Sequence, residues 1–528
     1  MEKISMNTDV LVVGGDLTGD GTAVAIAEAG YRVLLVKKSA DSTGRSAALL
    51  GAEEKALADW DKISGRAASK KNIEIMNNFR LTRAAGVCGD FSVRLTGDGG
   101  ETIDKKVGAI VVATDLKTCS LHEQYGLTLS DSVLSLSQAE DLIADNGRIN
   151  KKSVGFLVGL KQNSDPIIMK RIFKAVLAVL KAGGSASVYV NEIKLTDNGL
   201  DRLYKEGRDN GAVYFKMKQA PEIKSTSLIF HDLVLGKAVE ATHELLVVEE
   251  RNFTDDLNPA LAEALGIHMT PSGFLQKDNV HRFPEKSNRR GIFVVGGARQ
   301  TQNLTGSVAD VASTVLALRS LFQMEVPTDR IAVVDREKCA ICLTCYRCCP
   351  HGAIYWSDKA VISPVACQGC GICASECPND AIQLLSFTDD DISEAVKTAL
   401  SKTPGAIIAF CCENSAAEAA EAARQFGMPL PDKLSIVQVP CAGKVDMQYI
   451  LSAFREGAAG VLVAACHNGN CKSEYGSKYA QWRVNETLRM LDEAGVDKGR
   501  LAFVTMAANM AGDFAKAVGG LAEKIAVN

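Results

Sequence analysis

The sequence predicts an α/β protein built of two nested dinucleotide-type domains, a cysteine-rich module and a further α/β domain. Three observations carry this reading. Residues 8–37 run as strand, alanine-rich helix and strand: TDVLVVGG, then Gly19 to Gly30, then YRVLLVKK. The phrase C-x2-C-x2-C-x3-C-P occurs twice between Cys339 and Pro378. Beyond Pro404, three apolar strands each end in cysteine. At 528 residues the chain is too long for a single core.

Further strands are expected at 107–114, 153–160, 185–190, 212–217, 243–250 and 291–297, with helices at 167–183 and 307–322. Their order predicts one dinucleotide-type domain over 1–145 plus 285–325, with a second at 150–282 inserted in it. A short polar linker with Pro327 and Asp329 leads to the cysteine module at 336–386. TDDDISEA (388–395) opens a connecting helix, and the last α/β domain covers 404–528. Its strands are GAIIAFCC, LSIVQVPC and GVLVAACHNGNC, with helices at 447–457 and 479–495.

Composition narrows the function class. The hydrophobic fraction of 47% and charged fraction of 23% are those of an ordinary globular protein. A net charge of -4, with Lys and Arg scattered, argues against nucleic acid as a partner. No stretch approaches the length of a membrane span, and MEKISMNTDVLVVGG holds no leader pattern. Sixteen cysteines, mostly at metal spacing, suit a reducing cytoplasm better than a disulfide framework. Any membrane role is expected to come through a partner.

The repeated phrase is the signature of a bacterial-type ferredoxin module with two 4Fe–4S clusters. Three closely spaced thiolates wrap three iron corners, and the fourth reaches across to the other cluster. One cluster is therefore assigned Cys339, Cys342, Cys345 and Cys377. The other is assigned Cys367, Cys370, Cys373 and Cys349. A zinc ribbon would use paired C-x2-C knuckles without the third Cys and the C-P step. Cys348 is off the spacing and reads as a free buried thiol.

Cys411, Cys412, Cys441, Cys466 and Cys471 all fall at carboxyl ends of predicted strands or in the loops that follow. In a parallel sheet those ends converge on one edge. A 2Fe–2S cluster held by Cys441, Cys466, Cys471 and either Cys411 or Cys412 is one reading. Buried core thiols are the other. His467 is expected near the site but not as a ligand.

The first βα turn reads Gly14-Gly15-Asp16-Leu17-Thr18-Gly19, in which Asp16 replaces the middle glycine of G-x-G-x-x-G. The second strand ends in Lys37-Lys38 where an acidic ribose partner is expected. The bland reading is a retained fold with weakened nucleotide binding. In the inserted domain, KQNSDP after the strand SVGFLVGL offers no glycine run, which argues against pyridine nucleotide there. Cys88 and Cys119 form no C-x2-C, which excludes a redox disulfide of thioredoxin-reductase type.

With these pieces in place, the chain resembles the A subunit of heterodisulfide reductase followed by a domain similar to the delta subunit of methyl-viologen-reducing hydrogenase. The first resemblance rests on VLVVGGDLTGDGTAVAIAEAGYRVLLVKK, AIVVATD, NGLDRLYKEGRDNGAVYF, GIFVVGGARQ and the double cysteine phrase. The second rests on FCC, VPCAGKVD, GVLVAACHNGNC and WRVNETLRMLDEAGV. The fusion looks most like the B subunit of quinone-interacting membrane-bound oxidoreductase complexes. That resemblance implies an electron-transfer subunit of an oxidoreductase complex. Its implied partners are a second flavoprotein subunit, a membrane quinone-interacting subunit, and adenylyl-sulfate reductase. It implies a thioredoxin-reductase-like nesting of the first two domains and a non-covalent FAD near Gly14, Gly15, Gly19, Lys37, Thr114 and Gly296-Gly297-Ala298. The diphosphate is expected at the helix start, Gly19–Ala25. Two departures stand out: Ser415 replaces the third cysteine of the family's C-C-x-x-C phrase, and the ATG segment is Ala113-Thr114-Asp115. Competing readings are a flavin-bifurcating subunit of a soluble heterodisulfide reductase-type complex, and a docking scaffold in which only the ferredoxin module is redox-active.

Overall fold

The computed structural model describes residues 6–39, 62, 65–144, 152–325 and 329–527; Pro327 of the expected linker lies outside them. The first sheet is parallel and ordered Ile292–Val294, Ala109–Val112, β1 (Val10–Val13), β2 (Val33–Lys37), Ile73–Asn77. β1, β2 and Ala109–Val112 are buried along their whole length, as strands covered on both faces must be. A three-stranded antiparallel sheet (79–87, 90–97, 102–107) completes this domain and is absent from the sequence expectations. Its middle strand alternates buried and exposed residues, but the turns carry no hairpin signal as plain as Asn-Gly.

The second sheet is also parallel: Val213–Lys216, Ser185–Val190, Ser153–Val158, Leu245–Val248, Val133–Ser135. The strand 133–135 and its helix 136–144 place Leu134, Leu136 and Ala139 in the second core. The helix Asn258–Leu265 instead returns Leu261, Ala262 and Leu265 to the first core. The exchange occurs through a two-stranded ribbon, Lys117–Ser120 against Glu250–Phe253. The inserted domain is therefore displaced toward the amino end from the expected 150–282. A three-residue strand such as 133–135 is too short to register as a period-two pattern.

In the cysteine module, Ala332–Val334 pairs with Ile382–Leu384, and Ile354–Trp356 with Ala360–Ile362. The two cysteine loops share one backbone. Cys342 is flanked by Ile341 (φ 56°) and Leu343 (φ 58°), and Cys370 by Gly369 (φ 65°) and Gly371 (φ 77°). Left-handed backbone at a β-branched residue such as Ile341 is costly and persists only where surroundings over-determine it. Alternating left- and right-handed residues turn successive N–H groups inward, which makes a concavity for an anionic group.

The connecting helix Asp389–Lys402 starts at Thr388 in a capping box with Asp391, worth about 1 kcal/mol. The last domain is a parallel sheet ordered β4 (Leu434–Val439), β3 (Ile407–Cys412), β5 (Gly460–Ala465), β6 (Leu501–Thr505). β6 is a strand that the sequence reading does not include. Helix α2 spans Gly476–Glu493. Among the described residues no helix is long and apolar enough to cross a membrane.

The first helix, α1 (Asp16–Glu28), begins three residues before the expected Gly19. Gly14 has φ +142°, and a Cβ there would stand 2.1 Å from the Ala113 carbonyl oxygen. A Cβ at Gly19 would stand 2.4 Å from the Gly14 carbonyl oxygen. These two glycines let α1 and β1 close against the neighbouring strand. Gly14→Ala is expected to lower stability by about 2 kcal/mol or more, since both backbone conformation and space oppose it. Urea unfolding of Gly14→Ala against Gly15→Ala, whose Cβ meets only Lys37 carbons at 3.8 Å, checks this; equal midpoints would contradict it.

Candidate functional site: three thiol groups and a cavity

Four thiols meet at the carboxyl edge of the last sheet. Cys412 ends β3, Cys441 follows β4, Cys466 follows β5, and Cys471 lies in the next loop. The Cys412 and Cys466 Sγ atoms are 3.7 Å apart. Hydrogen bonds link Cys412 also to Cys441, Cys441 to Cys471, and Cys471 to Cys466, so the four close into a ring. All four are at most 2% exposed. The mutual contacts hold Cys412 below the ordinary thiol range and push Cys441 above it. Helix α2 aims its amino end at the ring: a Cβ on Gly476 would lie 2.3 Å from Cys441 Sγ and 3.3 Å from Cys471 Sγ. Partial positive charge at a helix start favours thiolates and an anionic cluster.

Successive side chains of a strand face opposite sides of the sheet. Cys412 accordingly joins the core that contains Cys441, Cys466 and Cys471, whereas Cys411 joins the opposite one. Burial pushes the Cys411 thiol up to about 12. Of the two, Cys412 is the thiol that meets the other three, and Cys411 does not. His467 turns away: Nδ1 meets Thr505 Oγ1 at 3.1 Å and Nε2 meets Met510 Sδ at 3.3 Å. Ser415 stands against Cys466, and the Ser477 hydroxyl donates to the Cys466 carbonyl at 2.7 Å. The sequence reading missed Gly476 and Ser477; a glycine opening a long helix was the available signal.

The ferredoxin-type cysteines form two further groups. Cys339, Cys342, Cys345 and Cys377 line one apolar cavity of about 20 Å³. The Thr344 hydroxyl and N–H hold the exposed Cys342 thiol below its ordinary value. Cys349, Cys367, Cys370 and Cys373 form the other group, within electrostatic reach of one another. The fourth cysteine of each phrase sits with the three of the other. Cys348 is buried and its thiol donates to the Cys345 carbonyl at 3.4 Å.

A cavity of about 810 Å³ opens at the carboxyl ends of β1 and β2. Gly14, Gly15 and Thr114 line it together with Lys38, Arg80 and Arg83 and the carboxylates Asp115, Asp255 and Glu263. The remaining sequence-predicted cofactor residues do not. Gly19 is buried against Gly14. Lys37 is taken up in a 2.5 Å ion pair with the almost fully buried Asp20 of α1. Gly296, Gly297 and Ala298 are buried in a short turn, where Cβ atoms on the glycines would crowd Thr18 and Leu116. The Thr114 hydroxyl donates to Asn258 Oδ1 at 2.8 Å. In the inserted domain, Asp165 Oδ1 accepts from the Ile167 and Ile168 N–H groups at 2.9 Å, so the helix start is capped by its own carboxylate.

Residues 407–527 match the family described as methyl-viologen-reducing hydrogenase, delta subunit, and residues 360–383 match the 4Fe-4S binding domain. The A subunit of a ferredoxin:CoB-CoM heterodisulfide reductase from Methanosarcina mazei is 23% identical over 435 residues, covering 76% of this chain. The chain spans 55% of that relative's length. The vhu iron-sulfur D subunit of an F420-non-reducing hydrogenase from Methanocaldococcus jannaschii is 37% identical over 119 residues, 22% of this chain and 89% of that protein. A solved thioredoxin reductase of T. acidophilum covers 59% of this chain and 98% of its own, at 15% identity and a TM-score of 0.40. The chain belongs to the hydrogenase delta-subunit family through its carboxyl-terminal domain, joined to a portion like the A subunit of heterodisulfide reductase with a 4Fe–4S ferredoxin module.

Proposed function

We propose that the chain is an electron-transfer subunit of a multi-subunit oxidoreductase, with two 4Fe–4S clusters, one 2Fe–2S cluster and FAD. The observation that carries this is the grouping of twelve cysteines into three sets of four. Cys339, Cys342, Cys345 and Cys377 would hold one cubane. Cys349, Cys367, Cys370 and Cys373 would hold the other. Cys412, Cys441, Cys466 and Cys471 would hold the binuclear centre. These clusters supply one-electron steps when bound.

The large cavity fits a flavin dinucleotide in size, and its lining carries both basic residues and the carboxylates Asp115, Asp255 and Glu263. Its volume lies in the range of small-molecule sites. Gly14 and Gly15 line the start of α1, where N–H groups favour a diphosphate, and Lys38, Arg80 and Arg83 add positive charge. A flavin supplies conversion between two-electron and one-electron transfer. The partners we propose are a second flavoprotein subunit, a membrane quinone-interacting subunit, and adenylyl-sulfate reductase as the soluble end. The chain itself would be cytoplasmic and reach the membrane through the quinone-interacting partner. The fusion of a hydrogenase delta-like part with a heterodisulfide reductase-like part in one chain supports this assignment. The Lys37–Asp20 pair favours a second reading, in which the first domain is a docking scaffold and electrons use the clusters alone.

Two experiments test these assignments. In anaerobically reconstituted protein, Cys412→Ser should remove the binuclear electron paramagnetic resonance signal and Cys411→Ser should leave it intact. Loss in both variants, or in the Cys411 variant alone, would contradict the ligand set. Acid treatment of the isolated protein should release about one FAD per chain. Gly15→Val, at a position that lines the cavity and where a Cβ would have Lys37 carbons as its nearest neighbours, at 3.8 Å, should cut that yield several-fold while the urea midpoint of flavin-free protein stays put. No flavin in the unaltered protein would establish the scaffold reading.

A further inference from the structure

The three thiol sets are not equivalent in their surroundings. Cys349 and Cys367 pack against the core of the first domain, beside Ala353, Val365 and Ala366, which belong to it. Cys370, from the same set, packs against the core that contains Cys441, Cys466 and Cys471. The contact is close. A Cβ on Gly443 would stand 2.7 Å from Ile372 Cγ1, and one on Gly371 would stand 2.9 Å from Lys444 Cδ. The Ser375 hydroxyl donates to the Lys444 carbonyl at 2.7 Å, and Asn288 Nδ2 donates to the Pro350 carbonyl at 2.8 Å. Thus the Cys349/Cys367/Cys370/Cys373 set touches the flavoprotein-like domain on one side and the thiol ring on the other.

The Cys339/Cys342/Cys345/Cys377 set has a different outlook. Cys342 is exposed, and so are Ile341, Tyr346, Arg347 and Pro378 beside its loops. Arg347 Nη2 donates to the Cys342 carbonyl at 2.9 Å and Lys359 Nζ to the Cys339 carbonyl at 2.6 Å, which fixes the loop at the surface. The cores of the first and last domains include none of these four thiols. Cys339 and Cys345 lie with Cys373 in the module's own core, and Cys377, which packs against it, also lines a groove with Asp446, Met447, Trp482 and Arg483 of the last domain.

Resting on the proposed function, we infer that the relay is branched rather than linear. The Cys349/Cys367/Cys370/Cys373 set is its internal junction, serving both the first domain and the thiol ring. The Cys339/Cys342/Cys345/Cys377 set is its port, where a one-electron carrier from outside the chain meets it. Electron transfer slows steeply with distance, so a cluster held by the set that packs against both domains would be placed for internal transfer, and one held by the set with Cys342 at the surface would be placed for external exchange. A cubane held by Cys339, Cys342, Cys345 and Cys377 would supply a one-electron acceptor there, taking the single electron the carrier gives up, with no bond made or broken.

Two variants of the full chain, loaded anaerobically, separate the roles: Cys339→Ser with Cys342→Ser to remove the port, and Cys367→Ser with Cys370→Ser to remove the junction. The first readout is the microwave-power saturation of the binuclear signal, which a neighbouring paramagnet makes harder to saturate. The port variant should keep the unaltered protein's saturation behaviour, and the junction variant should saturate at several-fold lower power. The second readout is reduction by a small bacterial ferredoxin in stopped flow. The port variant should slow reduction of the remaining centres by an order of magnitude or more, while the junction variant leaves reduction of the port cubane unchanged. The reverse pattern, or no difference between variants, would overturn the inference. Iron analysis of each preparation separates the claims. An unaltered chain that binds no iron contradicts the proposed function and the junction together; iron-loaded protein with the reverse pattern contradicts the junction alone.

Discussion

The contact between the Cys370–Ile372 loop and the Cys441–Lys444 turn is the constraint on which the rest of the structure depends. Glycine is required on both sides of it, since Gly371 and Gly443 leave no room for a Cβ. Charged groups then hold the two units in register. Arg483 of α2, almost fully buried, donates to the Gly443 and Val445 carbonyls at 2.8 and 3.0 Å and pairs with Glu376. Lys444, with no exposed surface, reaches Asp389 at 2.7 Å and also bonds Tyr449. Arg483–Glu376 is the more buried of the two pairs, and removing one partner of a buried pair typically costs about 3–5 kcal/mol. The Lys444–Asp389 pair, with Asp389 partly open to solvent, contributes less. Glu376 neighbours Cys377, and Lys444 follows Cys441 by three residues, so the same bonds help fix the positions of thiols on both sides.

The first domain is tied to this assembly at the opposite edge. Asn279 Nδ2 donates to the Cys471 carbonyl at 2.8 Å, and Tyr475 meets His268 at 2.7 Å. His268 and Arg282 both contact Glu474, whose carboxyl burial alone would push up but whose two basic neighbours hold below its usual range. A carboxyl with a depressed folded-state pKa contributes stability above its unfolded pKa and loses it as pH falls through the folded value. The edge of the thiol ring that faces the first domain is thus pinned in part by a Glu474 carboxylate that is ionised at neutral pH.

Much of the candidate site was legible because spacing alone constrains cluster ligation. The double phrase names eight cysteines and their crosswise sharing, and the two groups of four in the structure have that composition. Cys411 and Cys412 could not be separated by their position at a strand end. They separate once the strand's buried faces are known, because period two sends them to different cores. The turn at Gly14–Gly19 is ambiguous for a related reason. Gly14 and Gly19 are demanded by the close approach of backbone segments, which a nucleotide-binding and a purely structural turn share. Lys37 reads as a candidate phosphate partner only while Asp20, one turn into α1, is out of view. The border of the inserted domain was missed because its outer strand has three residues and its return helix is claimed by a core distant in sequence.

The central claim is that one chain holds two cubanes and one binuclear cluster in three separate thiol sets. Mössbauer spectroscopy of the anaerobically purified, iron-57-enriched full chain addresses it directly. The account predicts about ten irons per chain, with cubane and binuclear iron in a ratio of roughly 4:1. Cubane iron alone would mean that Cys412, Cys441, Cys466 and Cys471 are a structural thiol cluster, and zinc in place of iron would contradict the relay altogether.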